Sequence, residues 1–156
     1  MKGNNASLLN ISSSASTKIS LEAIRVGKAG LDAHRQIMLI RIPDTGDWAS
    51  FKHESLELKD LAYLTAKTGD EFAILRSKKE DVLFHGGKTN CKFTGIIYDM
   101  LIEHKLVLIG HSHPGEDDPV PSSDDRAVLR LIDQRSSFII SGQTGRITEF
   151  TGNPFE

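Results

Sequence analysis

The sequence has a single cysteine, Cys91. It therefore forms no intramolecular disulfide and no multi-cysteine zinc site, which fits a reducing compartment and leaves Cys91 as a free buried thiol. Also missing are the Pro-Cys-x-x-Cys of nucleic-acid deaminases and the His-Glu-x-x-His helix of one large protease class. Basic charge is not in excess. A formal net charge of −2, a pI near 6.3 and no cluster of Lys and Arg on an expected helix disfavour DNA or RNA as a partner. No apolar run approaches the roughly 18 residues that span a bilayer, and Met1 to Ser20 carries Ser and Asn where a signal peptide needs an apolar block. The expectation is a soluble, cytoplasmic protein without a membrane partner. No internal repeat is present.

What is there is ordinary globular material: 156 residues, 38% hydrophobic and 26% charged, a one-domain length with enough apolar side chains for a core. Residues 1–18, rich in Asn and Ser, read as a flexible lead-in or linker that would also suit a piece of a longer polypeptide. The domain then runs over 19–156. Leu21, Ile24 and Leu31 fit a short helix broken by Gly27 and Gly30, and Ile37-Met38-Leu39-Ile40 reads as a buried strand. Trp48 and Phe51 follow a turn and offer a second short strand; His34 and His53 stand outside any cluster. A helix is expected from Leu56 to Thr68, with Ser55 as its cap and Gly69 as its stop.

Beyond it, Asp70 to Leu75 and Val82 to His85 form a strand hairpin, and Thr94 to His104 a helix. Leu106 to Gly110 is a strand, Ser122 opens a helix with Ala127, Val128, Leu131 and Ile132 inward, and Ser137 to Phe150 closes as a hairpin about Gly142 to Gly145. The fold class is α+β: one mixed sheet flanked by helices.

The chemistry concentrates between Leu106 and Leu131. Side chains alternate faces along an extended strand, so His111 and His113 point the same way and can grip one metal ion between them. Pro114 ends the strand. Asp125, in the first turn of the next helix, supplies a third ligand, which is the set a catalytic zinc needs while its fourth position stays open to water. Amide hydrolysis also needs a base to move the proton and a group to hold the oxyanion.

The run His111-Ser112-His113-Pro114, followed by Pro121-Ser122 and Asp125 in a Ser-x-x-Asp arrangement, resembles the signature of the JAMM metalloproteases, the MPN+ or JAB/MPN group. The stretch Gly69-Asp70-Glu71-Phe72-Ala73-Ile74-Leu75 is similar to that family's glutamate segment, and the resemblance covers Leu56 to Phe150. It implies a JAB/MPN-like (cytidine-deaminase-like) sandwich and one Zn2+ per chain held by His111, His113 and Asp125. It also implies Glu71 as general base and Ser122 beside the tetrahedral intermediate. The activity implied is cleavage of a peptide or isopeptide bond in a protein or peptide substrate, ubiquitin-like conjugates included. Bacterial and phage members are the nearer likeness. A catalytically silent module in a phage or toxin-related polypeptide is the alternative.

One spacing departs from the pattern. Eight residues, Pro114 to Pro121, separate His113 from the serine where seven is usual. The seven-residue register would move the ligand to Asp124 and put Pro121 in the serine's place; an extra turn residue is absorbed more easily than a lost hydroxyl, so Asp125 is preferred. Taken singly, each residue has a plainer role. Ser122 and Asp125 form a near capping box, and Glu116-Asp117-Asp118 is a solvated turn. Only the ordered combination is specific.

Overall fold

A computed structural model describes residues 10–11, 14–115 and 119–155. Its centre is a seven-stranded mixed sheet in the order β1-β7-β6-β5-β3-β4-β2. The strands are β1 (Asn10–Ile11), β2 (Trp48–Lys52), β3 (Phe72–Arg76), β4 (Glu80–His85), β5 (Val107–His113), β6 (Ser136–Ser141) and β7 (Ile147–Thr151). Among the described residues five helices pack on it: α1 (Ala15–Arg25), α2 (Ala33–Arg41), α3 (Leu58–Thr68), α4 (Gly95–Ile102) and α5 (Ser123–Leu131). The mixed α+β sheet is therefore present. Among the described residues no helix is long and apolar enough to cross a membrane.

The central strands β3 and β4 are apolar on both faces, and their two-residue period divides the core. On β3, Phe72 and Ile74 join Leu21, Met38, Leu61 and Leu64 under α1, α2 and α3. Ala73 and Leu75 face the other way, to Ile97, Leu101 and Leu129 of α4 and α5. Leu83 on β4 and Ile140 on β6 belong to the first layer, Val82, Phe84 and Ile139 to the second. Helices on both faces are what such two-sided strands require.

Most neighbouring strands run antiparallel, but β5 and β6 are parallel, in the register Gly110↔Phe138 to His113↔Ser141. A parallel pair needs a crossover, and α5 provides it. In such units the carboxyl end of the first strand and the start of the next helix form a crevice, where ligands bind in open sheets.

Three local expectations are corrected. Ile37-Met38-Leu39-Ile40 lies within helix α2, not in a strand: Asp32 caps that helix by accepting from the Arg35 N–H at 2.9 Å, only Met38 is buried, and Ile37 and Ile40 are exposed. Four apolar residues in a row satisfy either period, and the cap decides. Helix α3 starts from Glu57, not Ser55. The Glu57 N–H donates to Asp60 Oδ2 at 2.8 Å, while the Ser55 hydroxyl donates to the Lys52 carbonyl. Helix α1 begins at Ala15, ahead of Ile19, because Ser14 Oγ accepts from the Thr17 N–H. Of the expected lead-in, residues 1–9 and 12–13 lie outside the described residues, as does the acidic run 116–118.

Gly69 ends α3 as expected, at φ 79°. That left-handed turn costs glycine least and feeds the chain straight into β3.

Candidate metal centre

The sheet register assembles the site. Strands β3 and β5 are antiparallel with Ala73 opposite His111, so extending that register by two residues sets Glu71 opposite His113. All four share the face covered by α5. The intervening Ser112 points to the opposite face, where its hydroxyl lies 2.6 Å from Thr65 Oγ1 of α3 and accepts from the Phe72 N–H at 2.9 Å. The strand end carrying the histidines is thereby tied to α3 and to β3. A polar residue between two histidines was the sequence's only sign of this anchor.

The imidazoles converge. His111 Nε2 and His113 Nε2 are 3.1 Å apart, with ring centroids at 5.0 Å and planes tilted by 59°. Asp125 straddles them, Oδ1 at 3.1 Å from His111 Nε2 and Oδ2 at 3.1 Å from His113 Nε2. Atoms about 2.0 to 2.1 Å from a tetrahedral ion lie about 3.3 Å from one another, so this spacing suits a small divalent cation. Asp124, the alternative ligand, is exposed.

Glu71 enters from β3. It is buried, and its Oε2 lies 3.9 Å from His113 Nε2. Glu71, His111 and His113 each offer one ligand atom, all within 4.8 Å of one another, so this buried group can hold a metal ion. Two carboxylates are thus available to the histidine pair, one in close contact with both rings and one set back. With Glu71 buried and Asp125 half-buried, the pair favours a compensating cation between them.

The electrostatics of Asp125 agree with that demand. Burial pushes its carboxyl up, but hydrogen bonds from His111 and His113, the charge of His111 and the Ser122 N–H outweigh it and hold the group far below the usual carboxylate range. Its place in the first turn of α5 favours the anion further. Ser122 is the N-cap: its Oγ accepts from the Asp125 N–H at 3.0 Å and its N–H donates to Asp125 Oδ2 at 2.9 Å. The capping box and the contact with both imidazoles therefore coincide in one side chain.

The backbone of Glu71 is clamped by the turn after β4. The Glu71 N–H donates to the Gly87 carbonyl and the Gly86 N–H to the Glu71 carbonyl, both at 2.7 Å. A Cβ on Gly86 would stand 2.7 Å from Cys91 Sγ and 2.9 Å from the carbonyl oxygens of Asn90 and Glu71, so only glycine lets these three segments meet. Cys91 is a free thiol, half-buried, with Sγ 3.9 Å from Glu71 Oε1. Burial, then the charges of Glu71 and Asp125, raise it well above an ordinary thiol, so it stays protonated and is a poor nucleophile. Neither Gly86 nor Cys91 was marked as part of the site by sequence pattern, since both owe their place to the turn's path. Compared with known protein families, with characterised proteins and with solved structures, the chain matches none.

Proposed function

We propose that this chain is a zinc-dependent metallopeptidase that hydrolyses a peptide or isopeptide bond in a protein substrate. The observation that carries the reading is the convergence of His111, His113 and the half-buried Asp125 at 3.1 Å contacts, with a second carboxylate, the buried Glu71, set back to 3.9 Å. The likeness of these residues, in this order, to the JAMM signature supports it.

His111, His113 and Asp125 would hold the metal. Zinc in such a set supplies Lewis acidity, polarising a carbonyl and making water a stronger acid. Glu71 is not needed as a ligand. Its carboxylate takes the proton of the attacking water and delivers it to the leaving nitrogen, a transfer that a buried base beside the ligand set is placed to make. The Ser122 hydroxyl accepts from the Asp125 N–H, so its own proton is left to donate toward the developing oxyanion.

One observation favours a second reading, a catalytically silent interaction module: Ser122 and Asp125 cap α5 whatever else they do. The two readings separate in one experiment. Zinc-loaded protein is incubated with a panel of ubiquitin-like fusions and proteome-derived peptides, and products are identified by mass spectrometry. The hydrolase reading predicts cleavage that falls at least about a hundredfold in Glu71→Gln while zinc stays bound. Full activity in that variant would overturn the base assignment. No cleavage by wild type, with partner binding untouched by Glu71→Gln and His111→Ala, would favour the module.

A further inference from the structure

Beside the metal centre, on the α5 side of the sheet, lies a cavity of about 290 Å³ that the chemistry above does not use. Its walls come from stretches far apart in sequence: Cys91 and Phe93 from the loop before α4, Leu108 from β5, Val128 from α5 and Phe150 from β7. Leu108 and Phe150 are buried, and Phe93 and Val128 are half-buried. The polar groups that reach it are of two kinds. Asn90, Lys92 and Asp124 are exposed, while His111 is buried and Asp125 half-buried. The Phe150 ring meets His111 edge-on at 5.9 Å, so the apolar wall runs directly into a metal-site residue.

Size limits the occupant. An apolar cavity of about 150 Å³ takes a benzene ring, whereas sites for whole small molecules span about 300 to 1,000 Å³. The present cavity suits one large apolar side chain together with a little of its backbone. Because His111 and Asp125 belong both to the cavity and to the metal centre, that side chain is held next to the bond being cut.

We propose that this cavity is the specificity pocket of the hydrolase and that it takes a Leu, Met or Phe side chain directly flanking the scissile bond. The inference rests on the hydrolase reading. It also narrows it: a substrate with glycine on both sides of the bond leaves the Phe93, Leu108, Val128 and Phe150 walls unfilled, so Gly-Gly-type junctions are poor substrates.

Two measurements on the zinc-loaded full chain test this. In the first, peptides randomised on both sides of the scissile bond are digested and the products sequenced by mass spectrometry. Leu, Met or Phe at one flanking position should raise kcat/KM about tenfold or more over Gly. Val128→Trp, which fills the pocket from α5, should remove that advantage with zinc content retained. In the second, methyl resonances of Leu108 and Val128 are followed while N-acetyl-leucinamide or N-acetyl-glycinamide is added; saturable shifts are expected with the first compound only. Cleavage indifferent to the flanking residue, or a preference unchanged in Val128→Trp, overturns the pocket while leaving the hydrolase standing. Saturable methyl shifts with no peptide cut at all overturn the hydrolase reading itself, and the specificity role with it.

Discussion

Asp125 does two jobs with one carboxylate. It completes the capping box of α5 through Ser122 and it touches both imidazoles at 3.1 Å, so the helix start and the histidine pair are fixed by the same geometry. Gly86 is its counterpart on the Glu71 side. Gly86→Ala puts a methyl group against the backbone oxygens of Asn90 and Glu71, neither of which is a flexible side-chain end. The expected cost is about 1 to 3 kcal/mol in a urea melt, together with loss of cleavage, while zinc binding survives because the three proposed ligands sit on other segments. Wild-type stability and activity in that variant would show that the turn tolerates a side chain. At this scale the sequence was most readable where chemistry and spacing agree: two histidines on one strand face, and a carboxylate at a helix start. Gly86, Cys91 and Ser112 were not readable as site residues, because nothing in a local pattern says which segments pass one another.

Between elements, the β3–β4 hairpin is held to the start of α3 by one buried carboxylate. Asp81, fully buried on β4, accepts from Arg76 Nε at 2.7 Å and from the N–H groups of Glu54 and Leu56 at 3.0 Å. Burial pushes its carboxyl up, but the Arg76 guanidinium and the two backbone donors outweigh this and lower it below its ordinary value of 3.8. A lowered folded-state pKa stabilises the protein above the unfolded value and loses that contribution as pH falls through the folded one. Asp81→Asn should therefore cost about 3 kcal/mol at pH 7, measured by urea unfolding, and less as the pH drops below about 4. A pH-independent difference would mean that the charge is not the source. Elements whose caps and periods agree, such as α5 and the β3–β4 hairpin, were expected close to where they lie, but the inward face of α5 is corrected: Leu129 is buried and Leu131, expected inward, is exposed. Helix α2 was not, because an uninterrupted apolar run carries no period of its own and the deciding signal, Asp32, lies ahead of it.

For the molecule as a whole, the parallel pairing between β5 and β6 makes the crevice, and the crossover helix brings Asp125 into it. A ligand that binds only the folded chain stabilises it, by about 2.7 kcal/mol at a hundredfold excess over Kd. For a chain of this length that raises Tm by about 5 °C or more. Zinc added to chelator-treated protein should produce that shift in a thermal melt, and His111→Ala should abolish it; equal melting with and without zinc would deny the ion a place in the folded chain. The order of the elements, strand hairpins interleaved with helices, made the mixed sheet legible in the sequence. The pocket was not, since Phe93, Leu108, Val128 and Phe150 meet only after the sheet and α5 have packed.

The most direct test of the central claim compares the two carboxylates by zinc titration calorimetry on wild type, Asp125→Ala and Glu71→Gln. Asp125 as ligand and Glu71 as base predict one site per chain, an affinity about a hundredfold weaker in Asp125→Ala, and one nearly unchanged in Glu71→Gln. The reverse pattern, zinc lost with Glu71 and kept without Asp125, would make Glu71 the ligand and leave Asp125 only as the cap of α5.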